Sequence, residues 1–507
     1  MDNLARRPKP LDKADVDESH APFVAPLTHA ELRTLFIGLM VAMFLAALDQ
    51  TIVAIALPTI GRQFQDMNNL SWVITAYLLS GTAVAPVFGT LSDIFGRRVM
   101  MTVALGIFVA GSILCALAPN LLTLVFARFL QGLGGGGIIP VSQTIIADAI
   151  SPRERGKYQA YFSGVWLAAG ISGPLLGGLI TDYMHWSVIF WINLPLTAVA
   201  LAVLLPRMSR LPVNYRKRKV DWFGGVLLMA SAVTILLVLT WGGVRYAWSS
   251  ALILAMIGGG IVLGAAFVWH AGRAAEPFIP LRLLGGTVVP FAILAGGLTV
   301  GTLTGLTVYL PMYYEIVYKL SPSEAGLALL PLVAISVPGS WIAGRVMLRW
   351  PRYLWVSIVG GALAALCFGT LAIVSDIPLW MFLSILSIGS FGIGPMFSTT
   401  VAALQNAVAR NQIGTATGAM NYTRALMASF AVAGFTAILM AALGTGVSGR
   451  DNIDLTRDLT SIEAVAAFRY IFGAAACMMS GATLLMALME ERPLAGPELA
   501  SNPDAAA

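Results

Sequence analysis

Stretches of about twenty or more mostly apolar residues recur from residue 33 to residue 489, and no other feature constrains this chain as strongly. A helix rises ~1.5 Å per residue, so ~20 residues cross the ~30 Å hydrocarbon core of a bilayer. So many runs cannot all hide in a soluble core. Of 507 residues, 58% are apolar and 11% charged, with mean hydropathy +0.81; a soluble domain carries roughly 25% charged residues. In lipid the backbone must satisfy its own N–H and C=O groups, which leaves helices or a closed barrel. A barrel needs ~10-residue alternating strands, and the unbroken runs here predict an all-α polytopic membrane protein instead.

The predicted spans are 34–57, 71–91, 99–118, 121–147, 158–180, 187–206, 221–241, 250–270, 288–314, 324–345, 353–374, 378–403, 412–440 and 467–489. The run beginning near residue 33 is too long for a signal-peptide core and reads as the first span. Fourteen spans put both ends of the chain on one side, and the basic residues choose that side. With the N-terminus inside, the inner segments hold 23 of the 31 lysines and arginines, and the outer segments hold 6: Arg62, Arg245, Lys319, Arg450, Arg457 and Arg469. Both termini are therefore expected in the cytoplasm. The run Arg216, Lys217, Arg218, Lys219 lies in a short loop between spans, where it anchors against anionic lipid; no nucleic-acid partner is expected.

The layout is six spans, two spans, six spans. We expect a disordered cytoplasmic tail (1–33), a six-helix bundle (34–206), a basic loop with two extra spans and a following loop (207–287), a second six-helix bundle (288–489) and a cytoplasmic tail (490–507). Transporters are commonly built from two related halves with a binding site near the midplane between them. The halves echo each other faintly: glycine and arginine after span 2 (Gly89 to Arg98) recur after span 10 (Gly344, Arg345, Arg349), without the aspartate.

Charged residues inside apolar runs are the informative ones, because lipid penalises them and they mark cavities, partners or ion paths. Asp49 lies ~24 Å along span 1 from Arg33, still within hydrocarbon. Desolvation penalises a charged carboxylate, which brings proton exchange within reach; a structural bond to a neighbouring helix is the alternative. Arg128 in span 4 has Gln131 one turn away on the same face, which points to a polar cavity; snorkelling to the outer interface is the alternative. Arg424 lies mid-span in span 13, where a cavity or interhelical role is expected. Glu315 closes span 9 and either binds a cation or titrates, or sits at the outer interface. Tyr313 beside it lines a cavity wall or an interfacial belt.

Other patterns concern helix contact. Gly89-Thr-Leu-Ser-Asp93-Ile-Phe-Gly96-Arg97-Arg98 fills the short inner loop after span 2. Its charges either pair with a neighbouring helix end in one conformation and release it in another, or only anchor the loop. In span 5, Ala169, Gly173 and Gly177 form a smooth stripe beside Pro174 and Gly178, suited to a rocking contact or to static packing. Gly132-x-Gly134-x-x-Gly137 matches a dinucleotide fingerprint, but no strand precedes it, so these glycines are read as helix contacts. The four histidines, His20, His29, His185 and His270, lack zinc spacing, and no Walker A sequence is present; no metal, cofactor or enzymatic activity is expected. Cys115, Cys367 and Cys477 each lie in an apolar run and suggest no disulfide framework.

The loop from Gly89 to Arg98 resembles the signature loop of the major facilitator superfamily, and the span 5 run Gly170-Ile-Ser-Gly173-Pro174-Leu-Leu-Gly177-Gly178 resembles its antiporter motif, with Ala160 and Ala169 where two glycines usually open it. The end of span 1, Leu48-Asp49-Gln50-Thr51 to Pro58, is similar to the opening motif of the fourteen-span drug:proton antiporters, with Ala54 where asparagine is usual. Ser71-Trp72-Val-Ile-Thr-Ala-Tyr77 and the run from Trp186 through Asn193 to Pro195 match as well. The resemblance covers roughly residues 33–490. It implies a major facilitator fold, two six-helix bundles plus two extra central helices, exporting hydrophobic or cationic small molecules for protons by alternating access. It implies proton coupling at Asp49 and Arg128, to which the residue reading adds Glu315. With it, the expected substrate cavity holds Trp72, Tyr77, Gln131, Trp166, Tyr313 and Arg424. It implies a conformational gate at Gly89, Asp93, Gly96, Arg97, Arg98, Gly173, Pro174, Gly177 and Gly178. The implied partners are a small-molecule substrate, protons, the plasma-membrane bilayer and, in a double-membrane bacterium, a periplasmic adaptor. A dedicated exporter of one metabolite and a non-transporting sensor are the alternatives.

Overall fold

The computed structural model describes residues 28–66, 69–208, 220–243, 245–374, 377–442 and 461–494. The polar tail before residue 28, the basic run 216–219 and most of the loop after span 13 lie outside these residues. Among the described residues, fourteen helices are long and apolar enough to cross a membrane: α1 His29–Phe64, α2 Ser71–Phe95, α3 Arg97–Ala116, α4 Leu121–Ala149, α5 Pro152–Tyr183, α6 Val188–Met208, α7 Trp222–Trp241, α8 Ala251–Ala271, α9 Val288–Val317, α10 Ser323–Arg349, α11 Leu354–Ile373, α12 Leu379–Ala407, α13 Arg410–Ala442 and α14 Glu463–Leu488. Each matches an expected span, and several run past it. The 36 residues of α1 make ~54 Å of helix, longer than the hydrocarbon is thick. Local chemistry sets these ends: Thr28 and Glu31 form a capping box on α1, Asn120 Oδ1 accepts the Thr123 N–H at 2.9 Å, and Ser151 with Glu154 caps α5 behind Pro152. Gly96, at φ +88°, is the single residue between α2 and α3. That conformation strains any residue with a Cβ, so glycine lets the chain reverse at once.

An even number of crossings puts both described chain ends on one face, here called the terminal face. The apolar core is divided. One cluster gathers Val288 through Leu494, from α9 to the segment after α14. Two others gather Leu35 through Ile279 and Ala47 through Phe190. The halves meet along two seams, α2 against α13 and α5 against α10. The extra pair, α7 and α8, packs on itself and beside α2 and α13. Trp241 of α7 meets Trp72 edge to face at 5.7 Å, and Thr90 donates to the Phe278 carbonyl at 3.2 Å. Asp221 clips the pair together: its carboxylate caps Gly224, lies 2.8 Å from His270 Nε2 and accepts the Phe278 N–H.

Glycines set how closely helices approach. A methyl at Gly132 would strike Tyr77 and Ser80, one at Gly136 would strike Gly81, and one at Gly134 would strike Ala104 and Phe108. The glycine run of α4 therefore seats α2 on one side and α3 on the other, and the resemblance to a nucleotide loop ends there.

Candidate functional site

Asp49 is fully buried and has three partners drawn from two helices, α4 and α6. Arg128 Nη1 lies 2.6 Å from Asp49 Oδ2, and Gln131 Nε2 and Asn193 Nδ2 donate to Asp49 Oδ1 at 2.9 and 3.0 Å. Ser112 accepts from both Gln131 and Asn193, at 2.8 and 3.2 Å. Arg128 also donates to Gln131 Oε1 at 2.6 Å and through Nε to the Val73 carbonyl at 3.1 Å. Its guanidinium lies 4.3 Å from the centroid of the Tyr77 ring. The snorkelling alternative is thereby removed: Arg128 is 1% exposed and turned inward. So is the notion of a carboxylate alone in hydrocarbon. Burying two charges costs several kcal/mol each, and here the cost is offset by the pair itself and by the further bonds from Gln131, Asn193 and the Val73 carbonyl.

The small-residue stripe of α5 packs against α1 one turn beyond that pair. Thr51 donates to the Ala169 carbonyl at 3.0 Å. A methyl at Gly173 would strike Thr51, and one at Gly177 would come within 3.1 Å of the Ile52 carbonyl oxygen. Pro174 points outward, and a Cβ on Gly178 would meet nothing within 4 Å. The contact thus uses Ala169, Gly173 and Gly177, while Pro174 and Gly178 lie off it.

On the terminal face, Asp93 joins the two halves. Its Oδ1 accepts from Arg97 at 2.6 Å and from the Gly414 N–H at 3.0 Å, and its Oδ2 accepts the Thr415 N–H and hydroxyl at 2.7 and 2.8 Å. The acceptor set sits at the start of the long part of α13, where unpaired N–H groups and the helix dipole attract an anion. Arg97 reaches on to Asp148 of α4 at 2.8 Å, and Arg410 donates to the Asp148 carbonyl at 3.0 Å. Arg98 takes no part. Neighbouring residues on a helix point about 100° apart, and the side chain of Arg98 is exposed. Gly89 lets the backbones meet: a methyl there would collide with the Gly414 carbonyl. The second seam repeats the closure without charge. Gly156 of α5 lies on Gly344 and Met347 of α10, where the second half lacks the aspartate.

The remaining expected residues are dispersed. Arg424 is 9% exposed; Nη2 donates to Thr400 at 3.1 Å, and Nε is buried without a partner. No carboxylate pairs with Arg424 among the described residues. Asn421, one turn earlier, crosses to Gln143 of α4 at 2.7 Å. Tyr313 sits inside an aromatic cluster with Tyr314, Tyr318, Phe382, Phe468 and Phe472, so it is packed in a core rather than set on a cavity wall or in a belt. Glu315 is half-buried in the last turn of α9 and makes no bond to the Asp49 cluster. Trp72 is engaged with the extra helices, and Trp166 is 39% exposed on α5. Asn193, Ser112, Asp148, Gly414 and Thr415 were not singled out as site residues. An asparagine within an apolar span was the one available signal among them.

The sequence model of the Major Facilitator Superfamily matches residues 39–432. An MFS-type efflux pump, LUC4 of Fusarium sp., is 33% identical over 410 residues, which cover 79% of this chain and 72% of the pump. An uncharacterised MFS-type transporter of Mycobacterium tuberculosis (strain H37Rv) is 34% identical over 424 residues, 83% of this chain and 61% of its own length. Efflux pump FUS6 of Gibberella moniliformis (strain M3125) is 33% identical over 400 residues, 77% of this chain and 71% of that pump. Among solved structures, that of the human organic anion transporter MFSD10 aligns over 90% of this chain and 99% of its own, with a TM-score of 0.62 at 14% identity.

Proposed function

Because the chain belongs to the major facilitator superfamily, we propose that this membrane transporter exports small hydrophobic molecules in exchange for protons, by alternating access of its two six-helix bundles. The observation that carries the proton half of this reading is the buried Asp49–Arg128 pair at 2.6 Å, held by Gln131, Asn193 and Ser112. Protonating Asp49 removes the counter-ion of Arg128. The guanidinium must then find another acceptor or move, and α1 carries that change to the α5 stripe through Thr51. A proton is thereby linked to the fit between two helices of one bundle.

The terminal face is taken as cytoplasmic, a reading supported by the excess of basic residues on alternate loops, and the membrane as the plasma membrane. The Asp93 cap and the Gly156–Gly344 contact then close the inner side, and export proceeds when they part. Relatives named efflux pumps support the outward direction. Arg424 bears on the cargo. A buried guanidinium without a carboxylate favours neutral or acidic molecules over cations.

Purified protein in liposomes carrying a lumenal pH dye tests the reading. A lipophilic dye supplied on one side should move uphill when a pH gradient is imposed, and should move protons the opposite way when it is not. Dye movement without proton movement removes the coupling. Movement of neither removes transport and leaves a sensor.

A further inference from the structure

Between α1, α5, α6 and α10 lies a cavity of about 750 Å³, within the ~300–1,000 Å³ range of ligand-holding pockets. Its walls are apolar and include Ile37 and Val41 of α1, Tyr161 and Gly164 of α5, and Val337 and Trp341 of α10. Ile37, Tyr161 and Trp341 are 58%, 48% and 42% exposed. The same face of α5 continues upward through Leu175 and Leu179, also exposed. Large apolar side chains left outside the core along one helix face form the lipid-facing surface of a span. The cavity therefore opens sideways on the bilayer.

Three helices each carry a cation one turn nearer the terminal face, four residues from a wall residue: Arg33 from Ile37, Lys157 from Tyr161, and Arg345 from Trp341. Residues four apart share a helix face, so the three cations rim one end of the cavity. Contacts between the helices gather them. Phe36 stacks on Tyr158 at 3.9 Å, which sets the Arg33 turn of α1 against the Lys157 turn of α5. Gly344 packs on the Lys157 backbone, which brings Arg345 alongside. Arg345 lies over the Trp341 ring, 3.2 Å from its centroid. All three cations are exposed, and none forms an ion pair among the described residues. The nearby acid of α5, Glu154, is bound to the Ser151 cap.

We propose that this groove holds an anionic phospholipid of the surrounding bilayer, with an acyl chain between α1, α5 and α10 and its phosphate among Arg33, Lys157 and Arg345. The apolar walls fit the chain, and three cations at one end fit a headgroup of net negative charge. The lipid touches α5 and α10 at once, just beyond the Gly156–Gly344 contact, so it favours the conformer in which that seam is joined. The inference does not depend on cargo or on protons.

The test uses the full-length protein in phosphatidylcholine nanodiscs with a trace of photoactivatable lipid, either phosphatidylglycerol or phosphatidylcholine bearing the same diazirine tail. Crosslinked peptides are mapped by mass spectrometry. The phosphatidylglycerol probe should label the groove segments of α5 and α10 more than its zwitterionic twin. Arg33→Gln, Lys157→Gln and Arg345→Gln should each lower that preference by about five-fold and leave phosphatidylcholine labelling unchanged. Gly164→Leu projects into space where a Cβ meets nothing within 4 Å, so it fills the groove without a clash and should lower labelling by both probes. Equal labelling of wild type by the two probes overturns the proposal. So does displacement of the lipid label by an exported neutral dye, which assigns the groove to cargo. The comparison of two probes on wild type decides the matter even if a glutamine variant fails to insert.

Discussion

Asp93 of α2 caps α13 through Thr415, taking that residue's N–H and hydroxyl on one carboxylate oxygen at 2.7 and 2.8 Å. A helix normally takes its cap from the residue before it. Here the cap comes from the other half of the chain, so parting the bundles also uncaps a helix. Under the proposed alternating access, closure of the terminal face and the local stability of α13 would share one equilibrium.

Asp93→Asn keeps the size and removes the charge, and its amide NH2 faces the same donors. Hydrogen bonds to a charged acceptor are worth about 1.5–3 kcal/mol, and ~1.4 kcal/mol is a ten-fold shift in a two-state population. The variant should move the protein toward the conformer open at the terminal face by about ten-fold or more. Spin labels at the exposed positions Arg98 and Arg352 read this as a longer distance distribution. An unchanged distribution would leave Asp93 with loop anchoring alone.

Arg424 tests the charge of the cargo. A buried cation with one hydroxyl partner and an unpaired Nε lacks a compensating charge. Export of a lipophilic carboxylic acid should exceed export of its primary amide. Arg424→Gln should reduce the acid by about ten-fold and leave the amide nearly unchanged, in line with a lost charge-assisted bond of about 1.5–3 kcal/mol. Arg424→Lys should recover part of the difference. Equal loss for acid and amide would make Arg424 a packing residue.

Asp221 sets an acid limit on the extra helix pair. Burial alone would raise its carboxyl, but the Gly224 N–H, His270 and the Phe278 N–H outweigh burial and hold it below the usual carboxylate range. A carboxylate lowered on folding stabilises above its ordinary value, about 4, and loses that contribution as pH falls through the folded value. Asp221→Asn should therefore melt below wild type at neutral pH, and the two curves should converge in acid. Superimposed curves from neutral pH down would show that the clip adds nothing to stability, and a constant offset would show that its contribution does not come from the lowered carboxyl.

The membrane helices were legible because apolar run length is a strong signal, whereas their ends were not. Capping residues such as Thr28 and Asn120 set where two of these helices begin, and a hydropathy run does not mark them. Asp49, Arg128 and Gln131 were legible because charge in hydrocarbon is conspicuous and a three-residue spacing fixes a shared face. Ser112 and Asn193 were not, because a small polar side chain in a span commonly bonds its own backbone, as Thr197 does to the Asn193 carbonyl. Asp148 resembled any charge at a helix end until Arg97 reached it from α3. Tyr313 read as cavity or belt because sequence does not reveal that Phe382, Phe468 and Phe472 converge on it from two other helices.

The Asp49–Arg128 pair yields the sharpest prediction, because its two members fail differently. Asp49→Asn alone leaves a guanidinium buried at 1% exposure without its counter-ion. Breaking a buried pair from one side costs about 3–5 kcal/mol, so the single variant should lose both proton coupling and stability. Replacing both members, Asp49→Asn with Arg128→Gln, removes the stranded charge. Two amides can continue the network to Gln131, Asn193 and Ser112, and stability should return to within about 1–2 kcal/mol of wild type. Coupling should not return, since neither amide exchanges a proton near neutral pH. Thermal unfolding in detergent reads the first effect, and gradient-driven export from vesicles reads the second. A double variant that is stable and still accumulates dye against its gradient at the wild-type rate would make the pair purely structural. The proton would then have to travel through a carboxylate elsewhere, with Glu315 at the end of α9 the first to test.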